Sequence, residues 1–228
     1  MSSDRRAALA VACAALLAAC SARAASPALA PDAQQPCTVS AADRLENVQR
    51  VDPTIRTDIR YATRNNFTGE RLPGYEQPLA LLRPQVAQAL GRVQARLRAD
   101  GLGLKVFDGY RPVRATLAMV DWAERTNRRW VLDQGYVARE SGHNRGHTVD
   151  LTLVRLDTGE ELDMGTAYDT FSEAAHTANA TGAVRANRQR LVAVMKAEGF
   201  ENYANEWWHF RRPGDNFSPL DLPLSCFR

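Results

Sequence analysis

Residues 141–153 read SGHNRGHTVDLTL and carry two histidines and an aspartate around a glycine, directly before an alternating apolar segment. A catalytic zinc site takes three protein ligands and leaves one position for water or substrate. His143 and Asp150 are separated by six residues, and Gly146 lets the chain between them fold back. An imidazole and a carboxylate can thus meet on one ion. The third ligand must come from elsewhere, and Glu206-Trp207-Trp208-His209 is the obvious source. His209 can complete the set. Glu206 can stand beside it as the general base that takes a proton from water. Trp207 and Trp208 would give that carboxylate a less polar setting and raise its proton affinity.

A rival ligand pair is His143 with His147, at helical i, i+4 spacing. Gly146 disfavours a helix there, and Asn144 stands where an H-E-x-x-H zinc helix needs glutamate. His147 and His176 read as ordinary hydrogen-bonded residues, with His176 open to a supporting contact behind the ligands.

These residues resemble a family. Ser141-x-His143-x-x-Gly146-x-x-x-Asp150 with Glu206-x-x-His209 is similar to the zinc D-Ala-D-Ala metallopeptidases, and within them to the VanX-type D-alanyl-D-alanine dipeptidases. Further matching stretches are Tyr61-Ala62-Thr63, Asp108-Gly109-Tyr110-Arg111-Pro112, Gly135-Tyr136-Val137-Ala138, Asp163-Met164-Gly165 with Asp169, and Gly199-Phe200-Glu201. The resemblance implies one zinc ion per chain on His143, Asp150 and His209, with Glu206 as base. It implies that Arg111 donates hydrogen bonds to the carbonyl oxygen as charge develops, a task suited to a fixed fork of donors. Asp108 could orient Arg111. Tyr61, Ser141 and Asp169 match positions that line the dipeptide pocket, and an anionic Asp169 suits a free ammonium group. The implied reaction is hydrolysis of D-alanyl-D-alanine to two D-alanines, in cell-wall dipeptide turnover or scavenging. Alternatives are a D,D- or L,D-carboxypeptidase that trims peptidoglycan stem peptides, or a domain that binds wall peptides without cutting them. Two residues depart from the family pattern: Thr148 stands where alanine is usual two before the aspartate, and His147 precedes it where a small residue is common.

The elements that must position this set are legible in outline. Val86, Leu90, Val93 and Leu97 recur at helical spacing, so Pro84–Asp100 reads as a helix stopped at Gly101. Leu104–Phe107 reads as a short strand running into the Asp108–Pro112 turn. Val113–Thr126 is helical in pattern, Thr148–Val154 alternates as a strand, and Ala186–Glu198 is a helix before Gly199. Phe200–Phe210 reads as strand or tight turn. Helices and strands mix without regular βαβ alternation, which predicts α+β: a single domain with a small antiparallel sheet flanked by helices and the zinc site on the sheet.

With 228 residues, 45% of them hydrophobic, the chain can fill one well-packed domain. A formal net charge of +3 gives no reason to expect nucleic acid as a partner. Arg5 and Arg6, then the uncharged run Ala7–Ala19, read as an export signal too short to span a bilayer. Two ends for it compete. Ala22-Arg23-Ala24 is an A-x-A site, and Leu17-Ala18-Ala19-Cys20 resembles a bacterial lipobox that would lipidate Cys20; we favour the second. The expectation is residues 1–20 as a lipoprotein signal, 21–36 as a flexible spacer and 37–228 as the D,D-dipeptidase domain. The expected location is the periplasm, with membrane contact only through an N-terminal lipid. Export also permits a disulfide between Cys37 and Cys226, the alternative being two unpaired thiols.

Overall fold

The structure is a computed structural model that describes residues 37–214 and 216–227. The export signal, Cys20 and the spacer lie outside the described residues. In chain order the elements are β1 (Glu46–Asn47), α1 (Val48–Val51), β2 (Arg56–Thr57), β3 (Leu81–Leu82), α2 (Pro84–Arg98), β4 (Leu102–Asp108), α3 (Val113–Arg125), α4 (Trp130–Asp133), β5 (Thr148–Arg155), α5 (Gly182–Ala197), β6 (Glu201–Asn202) and β7 (His209–Arg211). The mixture is α+β, as expected.

Helix α2 begins on a proline whose fixed φ and missing N–H suit a first helical position. Its inward stripe, Val86, Leu90, Val93 and Leu97, is buried, each side chain contributing on the order of 2 kcal/mol. Gln94 on the same helix is also buried, and it is satisfied. Its amide donates to Thr54 Oγ1 at 2.8 Å, and its carbonyl accepts from the Leu104 N–H at 2.8 Å. That ties α2 to β4. Helix α5 begins at Gly182, four residues before the periodic apolar pattern announced it.

The main sheet runs β2-β4-β5-β7-β6. All its neighbours are antiparallel except β2 with β4, so the expected antiparallel sheet gains one parallel edge pair. A second, two-stranded sheet pairs β1 with β3. Strand β5 is buried along Thr148–Val154 on both faces. Its alternation sorts Val149, Leu151 and Leu153 to one face and Thr148, Asp150 and Thr152 to the other. Register does the decisive positioning. Asp150 pairs with Asp108 of β4 on one side and with His209 of β7 on the other. Three strands thus set three chemical side chains in one row across the sheet.

The chain's end closes over this region. Tyr110 both donates to the Leu222 carbonyl and accepts from the Leu222 N–H, each at 2.9 Å. The Leu220 N–H donates to the Asn144 carbonyl at 2.8 Å. Cys37 and Cys226 are joined as a disulfide across 189 residues. Among the described residues no helix is long and apolar enough to cross a membrane.

Candidate metal centre and active site

The loop before β5 aims His143 inward by ordinary capping. Ser141 accepts from the His143 N–H at 3.2 Å while the Asn144 side chain accepts from the Ser141 N–H at 3.1 Å. Gly146 then ends the turn at φ 71°, a left-handed conformation that glycine adopts without strain. The His143 Nδ1–H donates to the Gly109 carbonyl at 2.7 Å, which leaves the Nε2 lone pair free. Gly109 cannot be exchanged: a Cβ there would stand 2.6 Å from the Leu81 carbonyl oxygen.

Three donor atoms converge. His143 Nε2 lies 3.3 Å from Asp150 Oδ1 and 3.3 Å from His209 Nδ1, and His209 Nδ1 lies 3.0 Å from Asp150 Oδ1. Zinc–ligand bonds of about 2.0–2.2 Å in a tetrahedron put donors roughly 3.3–3.6 Å apart, so the set is close to the right size. Asp150 Oδ1 is buried and accepts no hydrogen bond. An orphaned buried carboxylate oxygen between two imidazole nitrogens is what a cation would satisfy. Burial alone would raise the Asp150 carboxyl, but His143 and His209 beside it hold it well below the usual range. Burial, first, lowers His209 and keeps it neutral for ligation. The donors therefore fit a divalent ion that accepts nitrogen and oxygen. His147 lies outside the set, its Nδ1 3.0 Å from Thr148 Oγ1, and His176 faces the Tyr136 hydroxyl at 3.1 Å.

A cleft of about 360 Å³ opens on these donors. Glu206 forms part of its wall, with Oε2 3.6 Å from His209 Nδ1. Burial first, then the charges of Asp150 and Asp169, pushes its carboxyl well above the ordinary value. Trp208 shares the wall, while the Trp207 indole N–H donates to Thr166 Oγ1 at 2.8 Å. Arg111 is buried, and its Nε and Nη2 both donate to Asp108 Oδ2, at 3.0 and 2.8 Å. Asp108 takes a further bond from the Tyr75 hydroxyl at 2.6 Å. Burial opposes the Arg111 charge, but Asp108 together with Tyr61, Tyr75 and Tyr168 outweighs it, and the guanidinium stays ionised. Its carbon sits 5.0 Å above the Tyr61 ring.

On the same cleft wall Tyr61 donates to the Asp169 carboxylate, 3.1 Å from either oxygen. Asp169 holds φ 59°, an uncommon value for a residue with a side chain. Burial first, then Asp150, raises its carboxyl to about 8. Tyr168 has no counterpart in the sequence reading. Its hydroxyl lies 2.9 Å from Asp150 Oδ2 and 3.0 Å from the Tyr61 oxygen, one proton for two acceptors. It links the donor set to the Tyr61–Asp169 pair. The alternation of β5 and the spacing of the histidines carry no trace of it, because it enters from a loop.

Residues 41–228 match the sequence family described as D-Ala-D-Ala dipeptidase. The chain belongs to that family. It is 42% identical over 171 residues to a D-alanyl-D-alanine dipeptidase of Streptomyces coelicolor, covering 68% of this chain and 85% of that one. It is 39% identical over 171 residues to one of Enterococcus faecium, with the same two coverages. Over 186 residues it is 33% identical to one of Escherichia coli, covering 80% of this chain and 92% of the relative.

Proposed function

We propose that this chain is a zinc-dependent D-alanyl-D-alanine dipeptidase, with one ion held by His143, Asp150 and His209. The convergence of those donors around the orphaned Asp150 Oδ1 carries the reading, and the similar enzymes are named for this reaction. When bound, the ion supplies Lewis-acid chemistry, polarising a carbonyl and acidifying water. The protein's own groups do the rest. Asp169 and Tyr61 receive the substrate's ammonium, which sets the scissile carbonyl between Arg111 and Glu206. Glu206, with its raised proton affinity, takes a proton from the attacking water and passes it to the leaving amine as the C–N bond breaks. Arg111, steadied by Asp108, offers N–H donors to the oxygen that gains charge. Ser141, which also lines the cleft, is placed to meet the leaving residue.

The test is release of alanine from D-Ala-D-Ala, L-Ala-L-Ala and a pentapeptide ending in D-Ala-D-Ala, with and without a zinc chelator. Chelator-sensitive cleavage of the D,D-dipeptide alone supports the reading. Cleavage of the pentapeptide makes the enzyme a carboxypeptidase, and a zinc-loaded chain that cuts nothing is a binding domain.

We also propose that residues 1–20 direct export to the periplasm and that Cys20 carries a lipid, on the strength of the charged start, the apolar run and Leu17-Ala18-Ala19-Cys20. An acylated N-terminus would hold the domain at a membrane surface. Labelling with a radioactive fatty acid tests this; an unlabelled, freely released protein refutes it. Placed there, the enzyme would meet dipeptide freed from the wall or arriving from outside, which fits turnover or scavenging.

A further inference from the structure

A second cleft, of about 610 Å³, adjoins the first and shares with it Glu140, Ser141, Gly142 and His209. Asp169 and Tyr61 line only the first. Ser141, Gly142 and the donor His209 thus form the boundary across which a substrate at the metal donors can reach the second cleft. Clefts of roughly 300–1,000 Å³ hold molecules of drug size, far more than the methyl group of alanine requires.

The wall of this cleft is cationic. Arg139, Arg145 and Arg211 line it together with the His147 imidazole, against Glu140 as an acid on the same wall. Arg139 is paired outward with Glu124, and Arg211 with Glu201. Arg145 donates to a backbone carbonyl, that of Phe217, and among the described residues it has no acid within ion-pair distance. His147 meets Thr148 Oγ1 through Nδ1; if the hydroxyl donates, Nε2 carries the proton. Burial first, then the charges of His143, Arg145, Arg211 and Arg83, lowers the His147 pKa, with no carboxylate among the causes. Like charges gathered on a concave wall favour an anion there. His147 and Thr148 pack against the rim: a Cβ on Gly142 would stand 2.3 Å from Thr148 Oγ1 and 3.0 Å from His147 Cε1.

We infer that the second cleft is the leaving-side subsite and that it accepts a residue larger than alanine with an anionic side chain, held by Arg145 and His147. The inference rests on the dipeptidase reading above. It widens the substrate class from D-Ala-D-Ala to D-alanyl dipeptides with an acidic second residue.

The experiment compares kcat/KM for D-Ala-D-Ala, D-Ala-D-Glu and D-Ala-D-Lys on the zinc-loaded chain and on its His147→Gln and Arg145→Gln variants. In the unaltered enzyme D-Ala-D-Glu should exceed D-Ala-D-Lys by about tenfold or more, the scale of one charge-assisted hydrogen bond. Each variant should shrink that ratio several-fold, and a ratio is indifferent to partial loss of folded protein. Turnover of D-Ala-D-Ala with no preference for D-Ala-D-Glu over D-Ala-D-Lys overturns the inference and leaves the dipeptidase reading standing. So does a preference that neither variant moves. Failure on all three substrates overturns the dipeptidase reading and this inference with it.

Discussion

Replacing Glu206 by glutamine separates the base from everything around it. The side chain keeps its shape, its place on the cleft wall and its distance from His209. It loses the ability to take a proton. The buried carboxylate stands near two other acids, and burial with the charges of Asp150 and Asp169 is what pushes its proton affinity up. Glutamine removes that repulsion, so the fold should be no less stable, and metal content should hold because Oε2 lies 3.6 Å from His209 Nδ1 without sharing in the donor set. A positioned general base contributes about 10²–10⁴ in rate, equivalent to about 2.7–5.4 kcal/mol of barrier at 1.36 kcal/mol per tenfold. The expected result is kcat for D-Ala-D-Ala down by that factor, KM within a few-fold, and zinc per chain unchanged by elemental analysis. Alanine release measured on the same metal-quantified samples decides it. A variant with full zinc and kcat within tenfold of the parent refutes the role of base. A fall in activity that tracks a fall in zinc shows that Glu206 acts through the metal site instead.

Asp108→Asn should keep the Tyr75 contact but loosen the grip on Arg111, lowering kcat by about tenfold or more at constant zinc; unchanged kcat would show that Arg111 needs no such steadying. Asp169 titrates near 8 in the fold against 3.8 in the unfolded chain. Between those values the unfolded state gives up a proton that the folded state keeps, so this group makes stability fall as pH rises from about 4 to 8. Denaturant melts of the chelator-treated chain at pH 5 and pH 8 should show that slope, and Asp169→Asn should flatten it; an unchanged slope refutes the assignment. Exchanging Cys37 and Cys226 for serine opens a loop spanning 189 residues, whose closure entropy sets an upper bound of about 5 kcal/mol. The denaturant midpoint should drop while zinc content holds; an unmoved midpoint would mean that the bond contributes nothing to stability.

The chemistry was more legible in the sequence than the scaffold. His143, Asp150 and His209 stand out because metal-binding types cluster at spacings that a short loop can close, and Glu206 because it precedes a histidine within an aromatic patch. The long helices and β5 follow from periodicity. What the linear pattern does not carry is contact between distant segments. Tyr168 is one tyrosine in a loop until the fold sets it between Asp150 and Tyr61. The parallel edge strand β2 is two residues long, too short for any periodicity. The acidity of Asp169 is likewise a property of its surroundings, since burial among other carboxylates is a tertiary fact. The second cleft was hidden for the same reason: Arg139, Arg145, His147 and Arg211 reach one wall from a loop and a strand far apart in the chain.

The row formed by Asp108, Asp150 and His209 has an arithmetic consequence. Side chains along a strand alternate between faces, so the row exists only for one parity of pairing. One residue added to or removed from residues 203–205, with β7 pairing in the shifted frame, would send His209 to the opposite face while leaving the Glu206–His209 motif intact. Such a chain would still be recognised by its letters, yet it would hold two ligands instead of three. The site is therefore protected less by the identity of its residues than by the length of the segments between them, and deletions should be purged from those turns more severely than substitutions.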